Sequence, residues 1–73
     1  MVNKKFLKEI IEIRKGLIGK RIECIHMDDP CPIPTGTLGT VIFIDSIGQI
    51  HVDWDNGRGL AINPDVDSYR ILD

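Results

Sequence analysis

Between Phe6 and Leu17 apolar residues recur every three or four positions. At about 100° per residue Phe6, Ile10, Ile13 and Leu17 fall on one narrow stripe, which Leu7 and Ile11 widen. Lys5, Lys8, Glu9, Glu12 and Lys15 take the opposite side, and neither proline nor interior glycine breaks the run. The pattern predicts an amphipathic helix over Asn3 to Lys15, with Asn3 as its N-terminal cap. A helix of about thirteen residues is marginal alone in water, so its apolar face must be buried. The rest of the chain is the first candidate to cover it; a partner, a second copy or a membrane surface are the alternatives.

After Gly19 the period shortens to two. Lys20 to Met27, Leu38 to Asp45, Gln49 to Trp54, Arg58 to Ile62 and Tyr69 to Leu72 are five strand candidates. Asp28 to Thr37, with Pro30, Pro32, Pro34 and Gly36, is a loop; Ser46 to Gly48 is a tight turn. Asp55-Asn56-Gly57 is a hairpin signal, and Asn63-Pro64-Asp65 breaks the last gap. Five short antiparallel strands with one long loop after the first predict a small, strongly bent barrel. The fold class expected is therefore mainly β, one domain over residues 1–73, with the helix (1–18) docked on a five-stranded barrel (19–73). Alternation places Ile50, Val52 and Trp54 inside. On the preceding strand it places Val41 and Phe43 inside and Ile42 and Ile44 outside, under the helix stripe.

Size and charge narrow the functional classes. Seventy-three residues hold one thin core and leave little room for an elaborate active site. No run approaches the ~18 consecutive apolar residues of a membrane span, and the lysine-rich start lacks the apolar region of a secretion signal, so a cytoplasmic location is expected. Two cysteines, Cys24 and Cys31, do not make a disulfide framework and are expected as free thiols. The net charge of −2 conceals an asymmetry: residues 1–20 carry six basic and two acidic side chains, residues 21–73 three basic and nine acidic. The basic arm can lie on the acidic body or reach a polyanion.

Three groups of residues resemble, in order, a short bacterial family catalogued as domain of unknown function 4314. They are His26-Met27-Asp28-Asp29-Pro30, then Pro34-Thr35-Gly36-Thr37-Leu38-Gly39-Thr40-Val41, then Trp54-Asp55-Asn56-Gly57. The strand start Gly19-Lys20-Arg21 after an N-terminal helix also fits, so the resemblance runs over nearly the whole chain. It implies an SH3-like small barrel in bacterial genomes and their mobile elements, with no established activity. Cys24 and Cys31 fall outside the pattern.

Several constellations bear on chemistry. Cys24, His26 and Cys31 with Asp28 or Asp29 supply zinc-type donors. Yet Cys24 sits inside a strand and Pro30 and Pro32 hold Cys31 in an extended loop, so no metal is expected. His26 with Asp28, or His51 with Asp53, has the residue types of a base and its orienter. No nucleophile with an oxyanion donor accompanies either pair, and a structural role for the Asp-Asp-Pro stretch is expected in place of catalysis. Gly36 and Gly39 precede no helix and do not form a phosphate loop. Nucleic acid is disfavoured as a partner because the body is acidic; only Lys4, Lys5, Lys8 and Lys15 of the arm would serve it.

The remaining reading joins the loop to the tryptophan. Asp28, Asp29 and Asp55 beside the indole of Trp54 would suit an arginine- or lysine-containing extended peptide. The candidate binding residues are His26, Asp28, Asp29, Trp54, Asp55 and Asn56. The function expected is a non-enzymatic interaction module without metal or cofactor, its partner a protein. Self-association through the helix and a nucleic-acid accessory role using the basic arm are the alternatives.

Overall fold

The computed structural model describes residues 4–72; the expected cap Asn3 lies outside the described residues. One helix precedes four antiparallel strands: α1 (Lys4–Lys15), β1 (Arg21–His26), β2 (Leu38–Ile44), β3 (Ile50–Trp54) and β4 (Ser68–Leu72). They form one sheet of order β3-β2-β1-β4 that does not close on itself. The expected five-stranded barrel is thus corrected to a four-stranded open sheet.

The strand that fails is Arg58 to Ile62. It does run back along β3, and Ile50 and Ile62 exchange both backbone hydrogen bonds, at 3.0 and 2.7 Å. The Trp54 N–H also donates to the Arg58 carbonyl at 3.1 Å. Between these points the Leu60 carbonyl, which would meet Val52 in a regular ladder, accepts the Trp54 Nε1–H at 2.8 Å. A buried indole needs an acceptor, and the Leu60 carbonyl supplies it between the two points of contact.

The core lies on one face of the sheet. Ile22, Cys24, Met27, Ile33, Val41, Ile44, Ile50, Val52, Trp54 and Ile62 are buried, and Ile11, Leu17, Leu60 and Tyr69 pack against them. The expected inward set Ile50, Val52 and Trp54 is confirmed. On β2 the alternation slips, because Val41 pairs with Val52 and Phe43 with His51, leaving Ile42 as an extra residue. This β-bulge reverses the faces beyond it. Ile44 is therefore buried, while Ile42 and Phe43 are both more than half exposed. A second bulge, between Cys24 and His26 in the β1–β4 ladder, turns Ile25 and His26 outward and lets Met27 return to the core.

Helix α1 docks on β2 in a rotation different from the one its apolar stripe predicts. Leu7, Ile10, Ile11, Arg14 and Leu17 are half-buried, whereas Phe6 and Ile13 are exposed, Ile13 by 77%. At 100° per residue the docked face is turned by roughly 60° from the stripe. The turned face includes Arg14, whose Nη1 donates to the Gly48 carbonyl in the β2–β3 turn at 2.8 Å. The charge attraction expected between arm and body has no counterpart in the ion pairs: among the described residues the helix lysine that pairs, Lys15, does so with Glu12 of the same helix.

Three substitutions test this packing. Ile44→Ala should destabilise by about 2–4 kcal/mol in urea denaturation, while Ile42→Ser should stay within about 0.5 kcal/mol; equal effects would remove the bulge. Gly39 is buried where a Cβ would lie 2.5 Å from Val52 Cγ1 and 2.8 Å from Trp54 Cε3. Gly39→Ala should cost about 1–3 kcal/mol, read as a fall of several degrees or more in Tm.

Candidate functional site

The six residues expected to bind fall into two groups, one at the end of β1 and one at the end of β3. His26 is the last residue of β1 and pairs with Ser68 on β4; Asp28 and Asp29 open the loop that follows. Trp54 is the last residue of β3, which β2 separates from β1, and Asp55 and Asn56 lie in the turn beyond it. Asp55 is bound by Arg21, at the other end of β1 from His26. The turn that carries Asp55 and Asn56 reaches the loop through Arg58, whose guanidinium meets the Cys31 and Pro32 carbonyls.

Trp54 is 1% exposed and its indole nitrogen is engaged by Leu60. It is a core residue and cannot floor a groove, which corrects the expected aromatic contact. Asp55 meets the Arg21 fork through two bonds, Nη1 to Oδ1 at 2.8 Å and Nη2 to Oδ2 at 2.6 Å. Hydrogen bonding by Arg21, outweighing the opposing effect of burial, holds the Asp55 carboxyl below its ordinary value. Asn56 accepts the Arg58 N–H at 3.0 Å. The hairpin it belongs to is closed by Gly57, whose φ of 87° supplies the left-handed residue after a Trp54 to Gly57 turn.

The loop carries the other group and is tied down along its length. Met27 and Ile33 are buried, and the Asp28 N–H donates to Asp67 Oδ1 at 2.7 Å. Asp67 Oδ2 accepts the Asn63 N–H at 2.7 Å, so one carboxylate joins the loop to the segment leading into β4. Asp29 Oδ1 accepts the Cys31 N–H, and the Thr35 hydroxyl donates to the Ile25 carbonyl. Arg58 completes the brace, Nη1 donating to the Pro32 carbonyl at 3.0 Å and Nη2 to the Cys31 carbonyl at 2.6 Å. The Asp28 carboxylate and the His26 ring, both exposed, have no partner among the described residues.

Arg21, Arg58 and Asp67 are the residues that sequence reasoning missed. Arg58 reads as a strand residue, and its partners lie 26 and 27 positions away. No local pattern signals that. Asp45 is a fourth, and it had a signal: an Asp three positions before Gly48 opens a turn. Its Oδ1 accepts the N–H groups of Ile47 and Gln49, and its Oδ2 lies 2.9 Å from His51 Nε2. His51 is thus partnered by Asp45 and not by Asp53, and its ring meets Phe43 edge-on at 5.4 Å. Burial would raise the Asp45 carboxyl, but the bonds from His51, Gln49 and Ile47 prevail and lower it.

Cys24 and Cys31 are both free. Cys24 is buried with its thiol on the Ile33 carbonyl, and burial, then the charges of Asp67 and Glu23, push its pKa up. Cys31 is exposed in the loop. Among the described residues no group of three His, Cys, Asp or Glu side chains is placed to hold a metal ion, and no helix is long and apolar enough to cross a membrane.

Compared with known proteins, residues 7–72 match the family described as Domain of unknown function (DUF4314). No curated protein and no solved structure matches.

Asp45 generates a pH prediction. Its lowered folded value means that the deprotonated form favours the fold. The stabilisation is complete above about pH 5 and drains as the pH falls through the ordinary carboxylate value toward the lowered one. Asp45→Asn should lose about 1–2 kcal/mol at pH 7 and show a flatter acid limb than the parent in urea titrations from pH 7 to pH 3. Parallel acid limbs would take Asp45 out of the account.

Proposed function

The chain belongs to the family Domain of unknown function (DUF4314), whose description names no activity, and we propose that it acts as a cytoplasmic, non-enzymatic interaction module. In this reading the sheet is an open relative of the SH3-like barrel, and the ligand is an extended protein segment bearing a basic side chain. One observation carries it. The loop after β1 is braced by Asp67, Asp29, Thr35 and Arg58, while the Asp28 carboxylate beside His26 is left unspent. A pre-formed loop loses little entropy on binding, and a carboxylate without an internal partner offers a charge-assisted hydrogen bond to arginine or lysine. Of the six candidates, His26, Asp28 and Asp29 face the ligand in this reading; Trp54, Asp55 and Asn56 build the fold.

A second reading rests on α1, whose exposed Ile13 and Phe6 form an apolar edge that a second copy of the chain could cover. Sedimentation at increasing concentration separates the two, since it detects only self-association.

The test of the first reading is fluorescence anisotropy with labelled arginine-containing extended peptides. Asp28→Asn should weaken the best of them about tenfold, equivalent to ~1.4 kcal/mol, with Tm unchanged. Loss of Tm without loss of affinity would assign Asp28 to the loop alone.

A further inference from the structure

The two edges of the sheet are unequal. Beside β3 runs the Arg58 to Ile62 segment, which engages the outward N–H groups of Trp54 and Ile50. Beside β4 no strand lies among the described residues. The direction of the β4 backbone groups follows from the ladder. Cys24 bonds to Thr37 and Gly36, and Lys20 to Val41, so the even-numbered residues of β1 face β2. Arg21 and Glu23 therefore face β4, where they pair with Leu72 and Arg70. Since successive residues of a strand point their N–H and C=O to opposite sides, those of Tyr69 and Ile71 point away from the sheet.

Of the usual protections this edge keeps only its shortness and the charge of Arg70. Exposed edge strands are blunted by proline, lysine, bulges or a covering segment. From Tyr69 to Leu72 the strand has no proline, lysine or glycine, and its register with β1 is regular. Tyr69 and Ile71 lie on the core face, since they oppose the buried Cys24 and Ile22, and Ile71 stays 44% exposed. On the other face Arg70 forms an ion pair with Glu23, and two thirds of its side chain remains accessible.

We propose that the free edge of β4 is a strand-addition site for an extended segment of apolar–acidic–apolar pattern, which would pair with Tyr69, Arg70 and Ile71. This goes beyond the loop reading: the edge takes a segment of its own, acidic at its centre, and is separate from the Asp28 site. Two donors and two acceptors, at Tyr69 and Ile71, match the repeat of an added strand. An apolar residue on either side of the centre covers Ile71 and Tyr69. Charge complementarity fixes the centre: a carboxylate opposite Arg70 makes a cross-strand row of alternating sign with Glu23, and opposite charges in such rows are favourable. A second copy pairing antiparallel about Arg70 would set arginine against arginine, so the partner is a different segment.

The experiment uses the full chain, labelled with nitrogen-15, and two blocked synthetic peptides, Thr-Thr-Val-Glu-Val-Thr-Thr and its Lys-centred counterpart. With the Glu-centred peptide near saturation the amides of Tyr69 and Ile71 should exchange at least about threefold more slowly, while those of Arg70 and Leu72 change little. The Lys-centred peptide should give no such protection, and Arg70→Glu should reverse the preference. Ile71→Pro deletes an outward N–H at an edge position where proline is tolerated and should abolish protection of Tyr69. Asp28→Asn separates the two proposals: protection retained there, with arginine-peptide affinity unchanged, ends the loop reading and leaves the edge site standing. No protection by either peptide, or protection that grows with protein concentration alone, overturns the edge site.

Discussion

Burial of the Trp54 indole is the constraint around which the rest of this small chain is arranged. The ring sits at the end of β3 with a hydrogen-bonding group that must be satisfied away from water, and the Leu60 carbonyl satisfies it. That bond fastens Leu60 to the end of β3. It also brings the following segment back along β3, with Arg58 reaching the Cys31 and Pro32 carbonyls. Gly39 completes the arrangement, because the indole approaches β2 where no Cβ could stand. The indole's acceptor and the loop's brace thus come from one segment.

The architecture was legible where the signal is local. The helix, four strands within one residue of their expected limits, and both turns follow from periodicity and turn chemistry. Facing was not legible beyond Val41, because a bulge is an extra residue in one strand counted against its partner, and a single strand contains no such count. The rotation of α1 was hidden for a related reason. Arg14 reads as a solvent residue until the turn carrying the Gly48 carbonyl is placed beside it. The same holds for the candidate site: Asp28 and Asp29 could be read from the loop's composition. The removal of Trp54 and Asp55 from the ligand depended on Leu60 and Arg21, contacts made across the fold.

The charge asymmetry of the sequence takes a different meaning in the folded chain. All three arginines of the acidic body are engaged within it: Arg21 by Asp55, Arg58 by loop carbonyls and Arg70 by Glu23. Each ties together segments far apart in sequence and uses a planar fork where lysine would offer only a point charge. Lys5, Lys8 and Lys15 of α1, by contrast, make no ion pair with the body among the described residues. Solubility and steering are roles open to them, whereas cohesion falls to the arginines.

The β1–β4 ladder joins residues between 42 and 51 positions apart, in contrast to the β2–β3 hairpin, which closes over a turn of a few residues. Loop-closure entropy makes such a distant pairing slow relative to a hairpin. A chain emerging from a ribosome would hold β2 and β3 together while one side of β1 still waited for β4, the last of these four strands in sequence. Until then β1, and not β4, is the open margin of the sheet. The nascent polypeptide therefore passes through a stage in which a different set of backbone groups is available to neighbours, and β4 acts as the native stopper of that earlier edge.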